Sequence, residues 1–430
     1  MASILVRPRG PFTAALTVPG DKSISHRALV LASISDGACE IRGLLEGEDC
    51  LSTIRCLRAL GVRCDRPEAG LWLVEGGGLA GWQPSSEPLD VGNAGTALSL
   101  LTGVLAAHPF RSTITGDQSI RRRPQKRLAQ PLGQMGASVE GVGEQCLPPL
   151  TISGAQLSPI RYQPLQPSAQ VKSAVLLAAL HATGETAVVE PVPTRDHTER
   201  MLRLFGVPVE VSGAEVTVRG PAPLAATSVT VPGDISSAAF FLVGAAVTPG
   251  SRVRVRDVGV NPSRTGILDV LSGMGARVAV ENVRQAASEP LGDVTVTAPE
   301  SLQGVEIAGD LVPRMINEIP IACVAACFAE GKTVVRDAPQ LRQKESDRIA
   351  AVASQLGRLG AHISPTEDGL VVTGGKGLKG GVCESLGDHR IAMACAIAGL
   401  AASGPVEVRD TECIATSFPG FEDILISLHG

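Results

Sequence analysis

The chain has 430 residues, 44% hydrophobic and 19% charged, which predicts a globular protein of two domains and excludes a disordered chain or one ordinary core. A net charge of −5 and an aromatic content of 3% argue against nucleic acid, an anionic membrane surface or a base-stacking platform as partner. Ten cysteines fall in no CxxC and no tight Cys/His cluster, so the expectation is no metal, no disulfide framework and a reducing cytoplasm.

The N-terminal "MASILVRPRGPF" lacks a signal-peptide core, and no apolar run is long enough to span a bilayer. A β-like stretch then leads into "LTVPGDKSISHRALVL", Leu16 to Leu31. This reads as a strand, a Pro-Gly-Asp turn and a buried helix starting near Lys22. The same design of polar start, apolar small-residue run, break and β-rich run restarts near Asn93, Ser168, Asp234, Asn317 and Asp388. The copy "VTVPGDISSAAFFLVG" from Val229 repeats the opening stretch without Lys22, His26 and Arg27.

A second signature interleaves with the first: an amphipathic stretch closed by Gly and followed by a strand, at Gly61, Gly136, Gly206, Gly275 and Gly360. The final "ISLHG", ending at Gly430, looks like a sixth copy cut short after its helix. Six units of about seventy residues each make a repeated supersecondary module, read as βαβαββ. The fold expected is α/β, with three modules in each of two similar domains: residues 20–231, and residues 1–19 plus 232–430. The chain would cross between them twice, near Pro19-Gly20 and Pro232-Gly233, forming a hinge.

The buried helices are polar only in their first turns: Lys22-Ser23, Asn93 and Thr96, Ser168 and Gln170, Asp234 and Ser236, Asn317-Glu318, Asp388-His389-Arg390. Aligned helix N-termini favour anions through their unpaired N–H groups. Simple N-capping explains Asp234 and Ser236. It does not explain Lys22 or Arg390, because a cation at an N-terminus opposes the helix dipole. Further cations stand in "SIRRRPQKRL", where Arg123 marks a strand turning into a helix, and in "LRQKESDRIAAV", which alone would read as an exposed ion-paired helix start. Lys172 and Arg195 are weaker single signals. "GGGLAG" at Gly76 matches GxGxxG but is followed by "WQPSSEPLD", which cannot open a helix, so a dinucleotide cofactor is not expected. An acidic protein with cations at helix starts points to a small, multiply anionic substrate.

Nine stretches, "VPGDKSISHRA", "GNAGTA", "RRRPQKRL", "PSAQVKSAVLLAAL", "RDHTERML", "NPSRTGILDVL", "LRQKESDRI", "GDHRIAM" and "IATSFPGF", span nearly the whole chain in order. Together they resemble the enolpyruvyl transferase family, in particular its 5-enolpyruvylshikimate-3-phosphate synthases of the second, microbial class. The sister UDP-N-acetylglucosamine transferases use a loop cysteine near "GDQSIRRRP", and none lies there in this chain. The resemblance implies two domains of three βαβαββ units, an inside-out α/β barrel pair closing over substrate, and a monomer without cofactor.

It further implies a shikimate-3-phosphate site of Lys22, Ser23, Arg27, Ser168, Ala169, Gln170, Arg195, Asn317 and Lys344. Phosphoenolpyruvate would meet Lys22, Asn93, Gly95, Thr96, Arg123, Gln170, Arg348 and Arg390. Glu345 would handle the proton at C3, Lys22 would assist proton transfer, and Asn317 and His389 complete the implied catalytic set. Gly95 leaves room for a phosphonate inhibitor such as glyphosate.

Two positions depart from the family pattern: Asn317 stands where an Asp is usual, and Ser99 where an Arg is. A neutral amide can hold a hydroxyl but cannot take its proton. Three readings therefore stand at this point: the transferase, a paralogous lyase that eliminates phosphate from shikimate-3-phosphate without phosphoenolpyruvate, and an inactive binder of shikimate-3-phosphate.

Overall fold

The computed structural model describes residues 2–428; Gly430, the end of the sixth repeat as read from the sequence, lies outside them. The chain divides into two compact units. One comprises Gly20–Val231 with Gln285–Glu289, the other Met1–Pro19, Pro232–Arg284 and Pro290–Gly430.

In the unit of Gly20–Val231 the module is a short strand, an inner helix, a second strand, an outer helix and a hairpin. In the middle module these are Leu89–Asp90, Gly95–Leu105, Arg111–Thr115, Lys126–Gln134, Ser138–Val142 and Leu147–Ser153. The short strand lies parallel to Arg111–Thr115, as a strand–helix–strand crossover requires, and Leu147–Ser153 pairs antiparallel with both its neighbours. The third module repeats this order with Arg161–Tyr162, Gly184–Val189, Glu215–Gly220 and Val209–Ser212. The first module takes its parallel edge from Leu224–Ala225 and Val229–Thr230, so the end of the unit closes its beginning.

The inner helices Lys22–Ser33, Gly95–Leu105 and Ala169–Ala179 are rich in Ala, Ser and Leu and almost wholly buried. Small residues permit close approach. A Cβ on Gly103 would lie 2.5 Å from the Ala174 carbonyl of the neighbouring inner helix. The glycines of the C-terminal signature take the left-handed conformation their sequence position demands, with φ of +85° at Gly61, +110° at Gly136 and +85° at Gly206.

The other unit repeats the plan with inner helices Ile235–Val247, Ile319–Phe328 and His389–Ala401, which pack on one another. Every residue of Ile235–Val247 is buried. Thr13–Leu16 lies parallel to Arg252–Gly259 and supplies the edge strand of this unit's first module. The last module, read as cut short, has no hairpin of its own among the described residues. Ser3–Val6 pairs antiparallel with Val406–Arg409 and fills that place, with Gly381–Glu384 parallel on the other side. Ile4 and Val6 are buried there, against an inner helix whose Gly399 would bring a Cβ within 2.8 Å of the Val6 Cβ.

Two details differ from the sequence reading. Arg123 does not stand where a strand becomes a helix: Ile120–Arg122 is a 3-10 turn, Arg123 is extended, and the helix starts at Lys126. Residues 285–289 group with Gly20–Val231, because Glu289 accepts a hydrogen bond from His197 Nδ1 at 2.7 Å and both side chains are buried.

Candidate active site

In the unit of Gly20–Val231, Asp21 caps the first inner helix by accepting the Ile24 amide at 2.9 Å. Lys22 follows in the first turn, where the helix dipole disfavours a cation. A carboxylate compensates: Lys22 Nζ donates to Asp49 Oδ2 at 2.7 Å, with Asp49 only 4% exposed at the start of the outer helix Glu48–Ala59. Ser23 is half-buried and its carbonyl accepts from Arg27 Nη1 at 3.0 Å. Arg27 also donates from Nε to Thr198 at 2.8 Å and from Nη2 to Ser173 at 2.7 Å. The guanidinium is thereby fixed in plane between two helices. His26 lies within the same helix against Thr53, at 2.8 Å. Burial, with Lys22 and Arg27 adding to it, pushes its pKa from 6.5 to about 3, so it is neutral.

A second group gathers at the N-terminus of Gly95–Leu105. A Cβ placed on Gly95 would be 3.1 Å from Arg123 Nη1 and 3.6 Å from Gln170 Nε2. Arg123 is held by Asn93 Oδ1 at 3.2 Å and Ser119 Oγ at 2.7 Å. Gln170 Nε2 reaches Thr96 Oγ1 at 3.5 Å, and Arg127 Nη2 donates to Gln170 Oε1 at 2.8 Å. Ser168 caps the third inner helix, accepting the Val171 amide at 3.3 Å, and Ala169 is that helix's first residue. Gly95, Thr96, Arg123 and Gln170 thus present N–H groups and one cation at two neighbouring helix N-termini, an anion-receiving arrangement.

Arg195 is half-buried in the loop before His197–Leu204. The loop is anchored by Glu190, which accepts the Thr194 amide at 3.2 Å and the Thr194 hydroxyl. Lys172 in turn donates to Glu190 at 2.8 Å and Glu199 at 2.6 Å, all three buried. Lys172 therefore builds the loop that carries Arg195.

In the other unit, Asp388 caps the helix His389–Ala401, accepting the Arg390 amide at 2.9 Å. The same carboxylate accepts Arg348 Nε at 2.8 Å and Nη2 at 3.1 Å, and Ser346 at 3.0 Å. Glu345 accepts Arg348 Nη2 at 2.6 Å. Arg348 is 2% exposed, so the expected exposed ion-paired turn is ion-paired but buried. Burial opposes its charge, yet Asp388 and Glu345 overcome it and raise its pKa.

Arg390 is equally enclosed, and its pKa is lowered by burial and by Arg348, against the opposing pull of Glu318, Asp234 and Glu345. His389 is buried beside it. Lys344 is half-buried directly after the 3-10 turn Pro339–Gln343. Asn317 is half-buried in the step between Leu311–Met315 and Ile319–Phe328. Glu318, fully buried, accepts the Ser236 hydroxyl, while Arg264 donates to Asp234 at 3.2 Å and Ser236 at 2.9 Å. The second Pro-Gly-Asp copy is thus tied into a buried polar network.

Sequence reasoning missed Asp49 and Arg264, took Arg127 only as one cation of a basic run, and did not see Asp388 as the partner of Arg348. Asp49 resembles an ordinary acid at a helix start, and nothing local in the sequence reports that Lys22 lies opposite it.

The EPSP synthase family model (3-phosphoshikimate 1-carboxyvinyltransferase) matches residues 6–425. Proteins named 3-phosphoshikimate 1-carboxyvinyltransferase include one from Pelotomaculum thermopropionicum, 53% identical over 95% of each chain. Another, from Desulforamulus reducens, is 48% identical over 98% of each. The solved EPSP synthase of Acinetobacter baumannii superposes with a TM-score of 0.87 at 44% identity, covering 100% of this chain and 98% of that one. The enolpyruvyl transferase NikO of Streptomyces tendae shares the fold, with a TM-score of 0.79 at 19% identity over 99% and 97% of the two chains.

Proposed function

This chain belongs to the EPSP synthase family, and from that premise we propose that it transfers the enolpyruvyl group of phosphoenolpyruvate to the 5-hydroxyl of shikimate-3-phosphate, releasing phosphate. Relatives at 48–53% identity carry the transferase name, which leaves the lyase and binder readings without support.

The hydroxyl oxygen attacks C2 of phosphoenolpyruvate while C3 gains a proton. In the second step C3 loses a proton, the C2–O bond to phosphate breaks and the enol ether remains. Such chemistry needs an acid at C3, a base at the hydroxyl and cations on the departing phosphate. We assign the C3 proton to Glu345, whose carboxylate is braced by Arg348, and assistance in proton transfer to Lys22, braced by Asp49. Arg123, Arg348 and Arg390, with Gly95, Thr96, Asn93 and the Gln170 amide, take phosphoenolpyruvate. Ser23, Arg27, Ser168, Ala169, Arg195, Asn317 and Lys344 take shikimate-3-phosphate. Gly95 keeps the space beside Arg123 that a phosphonate inhibitor would need. Cytoplasmic location and action as a monomer belong to the same proposal.

The observation that carries this reading is geometric. Arg123 Nη1 and Gln170 Nε2 stand 3.1 and 3.6 Å from where a Cβ of Gly95 would be, donors gathered at a helix N-terminus to receive an anion. The test is phosphate release from shikimate-3-phosphate with and without phosphoenolpyruvate. Release only with both is expected. Release without phosphoenolpyruvate would establish the lyase, and binding without release would establish the binder.

A further inference from the structure

We infer that Arg127 is a positioning residue for the transfer reaction, acting through Gln170. The inference rests on the assignment of Gln170 to the phosphoenolpyruvate site. Arg127 lies in the first turn of Lys126–Gln134, where a cation works against the helix dipole and has no capping role. Its bond explains it: Nη2 meets Gln170 Oε1 at 2.8 Å, 43 residues away in sequence.

The chemistry of this contact fixes more than a distance. A guanidinium has donors only, whereas a carboxamide has one acceptor end and one donor end. The end of Gln170 that faces Arg127 must therefore be the oxygen. The amide nitrogen is then turned to the opposite side, where it reaches Thr96 Oγ1 at 3.5 Å and stands 3.6 Å from a Cβ on Gly95. On that side Arg123 Nη1 lies 3.1 Å from the same point. With Arg127 in place, an anion beside Gly95 meets two N–H groups and a cation. Without it the amide can turn over and present its oxygen to that anion, which repels.

Lysine at 127 is also a pure donor and keeps the polarity of the amide. Methionine has the length but no donor. The test is a double-substitution cycle read by phosphate release under steady-state conditions. Arg127→Met is expected to raise KM for phosphoenolpyruvate about tenfold, the loss of roughly one hydrogen bond to a charged group, with kcat changed less than about threefold. Arg127→Lys is expected to recover most of the loss. In a Gln170→Ala background, Arg127→Met is expected to change KM by less than about twofold, because the group it orients is gone.

Additive effects in the cycle, or no effect of Arg127→Met on the parent, overturn the inference. If Arg127→Met melts at lower temperature, Arg127→Leu, which also lacks a donor, takes its place in the cycle. Wild-type protein assayed alongside separates the two claims: absence of phosphoenolpyruvate-dependent release removes the functional reading and the inference with it, whereas an active parent with an additive cycle removes the inference alone.

Discussion

His26 shows how the site charges its neighbours. Its ring is neutral because burial, Lys22 and Arg27 hold its pKa at about 3 against an ordinary 6.5. In the unfolded chain it binds a proton below pH 6.5 and in the folded chain it does not. Its contribution to stability is therefore complete above pH 6.5 and shrinks as pH falls towards 3, at about 1.4 kcal/mol per pH unit. Urea unfolding between pH 7 and 4 is expected to show a shallower pH dependence in His26→Gln by that amount. An identical slope in the variant would place the acid sensitivity elsewhere. Asn317 raises a different question at the same scale. An amide holds a hydroxyl without accepting its proton, and a well-placed general base contributes about 10²-fold or more to rate. Asn317→Asp is accordingly expected to raise kcat by about 10²-fold at neutral pH in the phosphate-release assay. An unchanged kcat would mean that proton passes to another group.

At the scale of elements, the repeat is written in two kinds of glycine, and only one is visible in the sequence. Those at the helix ends announce themselves through position and are left-handed in the structure. The others stand at the end of the last hairpin strand of four modules, with ordinary backbone. A Cβ would lie 2.2 Å from the Ser35 carbonyl at Gly76, 1.9 Å from His108 at Gly154, 2.1 Å from Ala179 at Gly220 and 2.1 Å from Ala329 at Gly374. Each presses on a carbonyl near the end of its module's inner helix. Nothing local marks them, because the contact joins segments tens of residues apart. Gly374→Ala is expected to destabilise by about 1–3 kcal/mol through overpacking. Gly133→Ala, inside a helix with nothing within 4 Å, is expected to be neutral or to stabilise by up to about 1 kcal/mol. Denaturant midpoints of the two variants check both. The same distinction governs the candidate site. Lys22 and Arg390 were legible because cations at buried helix starts are anomalous, and Arg123 through its basic run before Pro124. Asp49 and the Asp388–Arg348 pair were not, because each is normal locally and acquires its role from a partner on another element.

Over the whole molecule, the modular count was legible from the spacing of caps and apolar runs, and so was the assignment of residues 1–19 to the far unit, but which strands they pair with was not. Strand pairing across hundreds of residues leaves no local trace. The unit containing His389–Ala401 draws Ser3–Val6 and Thr13–Leu16 from the start of the chain. Val6→Asp places a charge at a position 1% exposed and is expected to destabilise this unit selectively. Amide hydrogen exchange should quicken at Val406–Arg409 and Gly381–Glu384 and stay unchanged at Ser35–Arg42. Uniform quickening in both units would sink the selective effect.

That pairing also sets a clock on biosynthesis. Val6 leaves the ribosome about 400 residues before Val406, which at about 5–20 residues per second is a wait of roughly 20–80 s. Residues 20–231 hold every strand that closes their own sheets and can be complete while Ser3–Val6 still hangs unpartnered. Chains stalled near residue 300 should therefore protect 20–231 from protease and leave residues 3–6 open to it. Ser3–Val6 thus waits longest for its partner, and the module of His389–Ala401 stays open until the two meet.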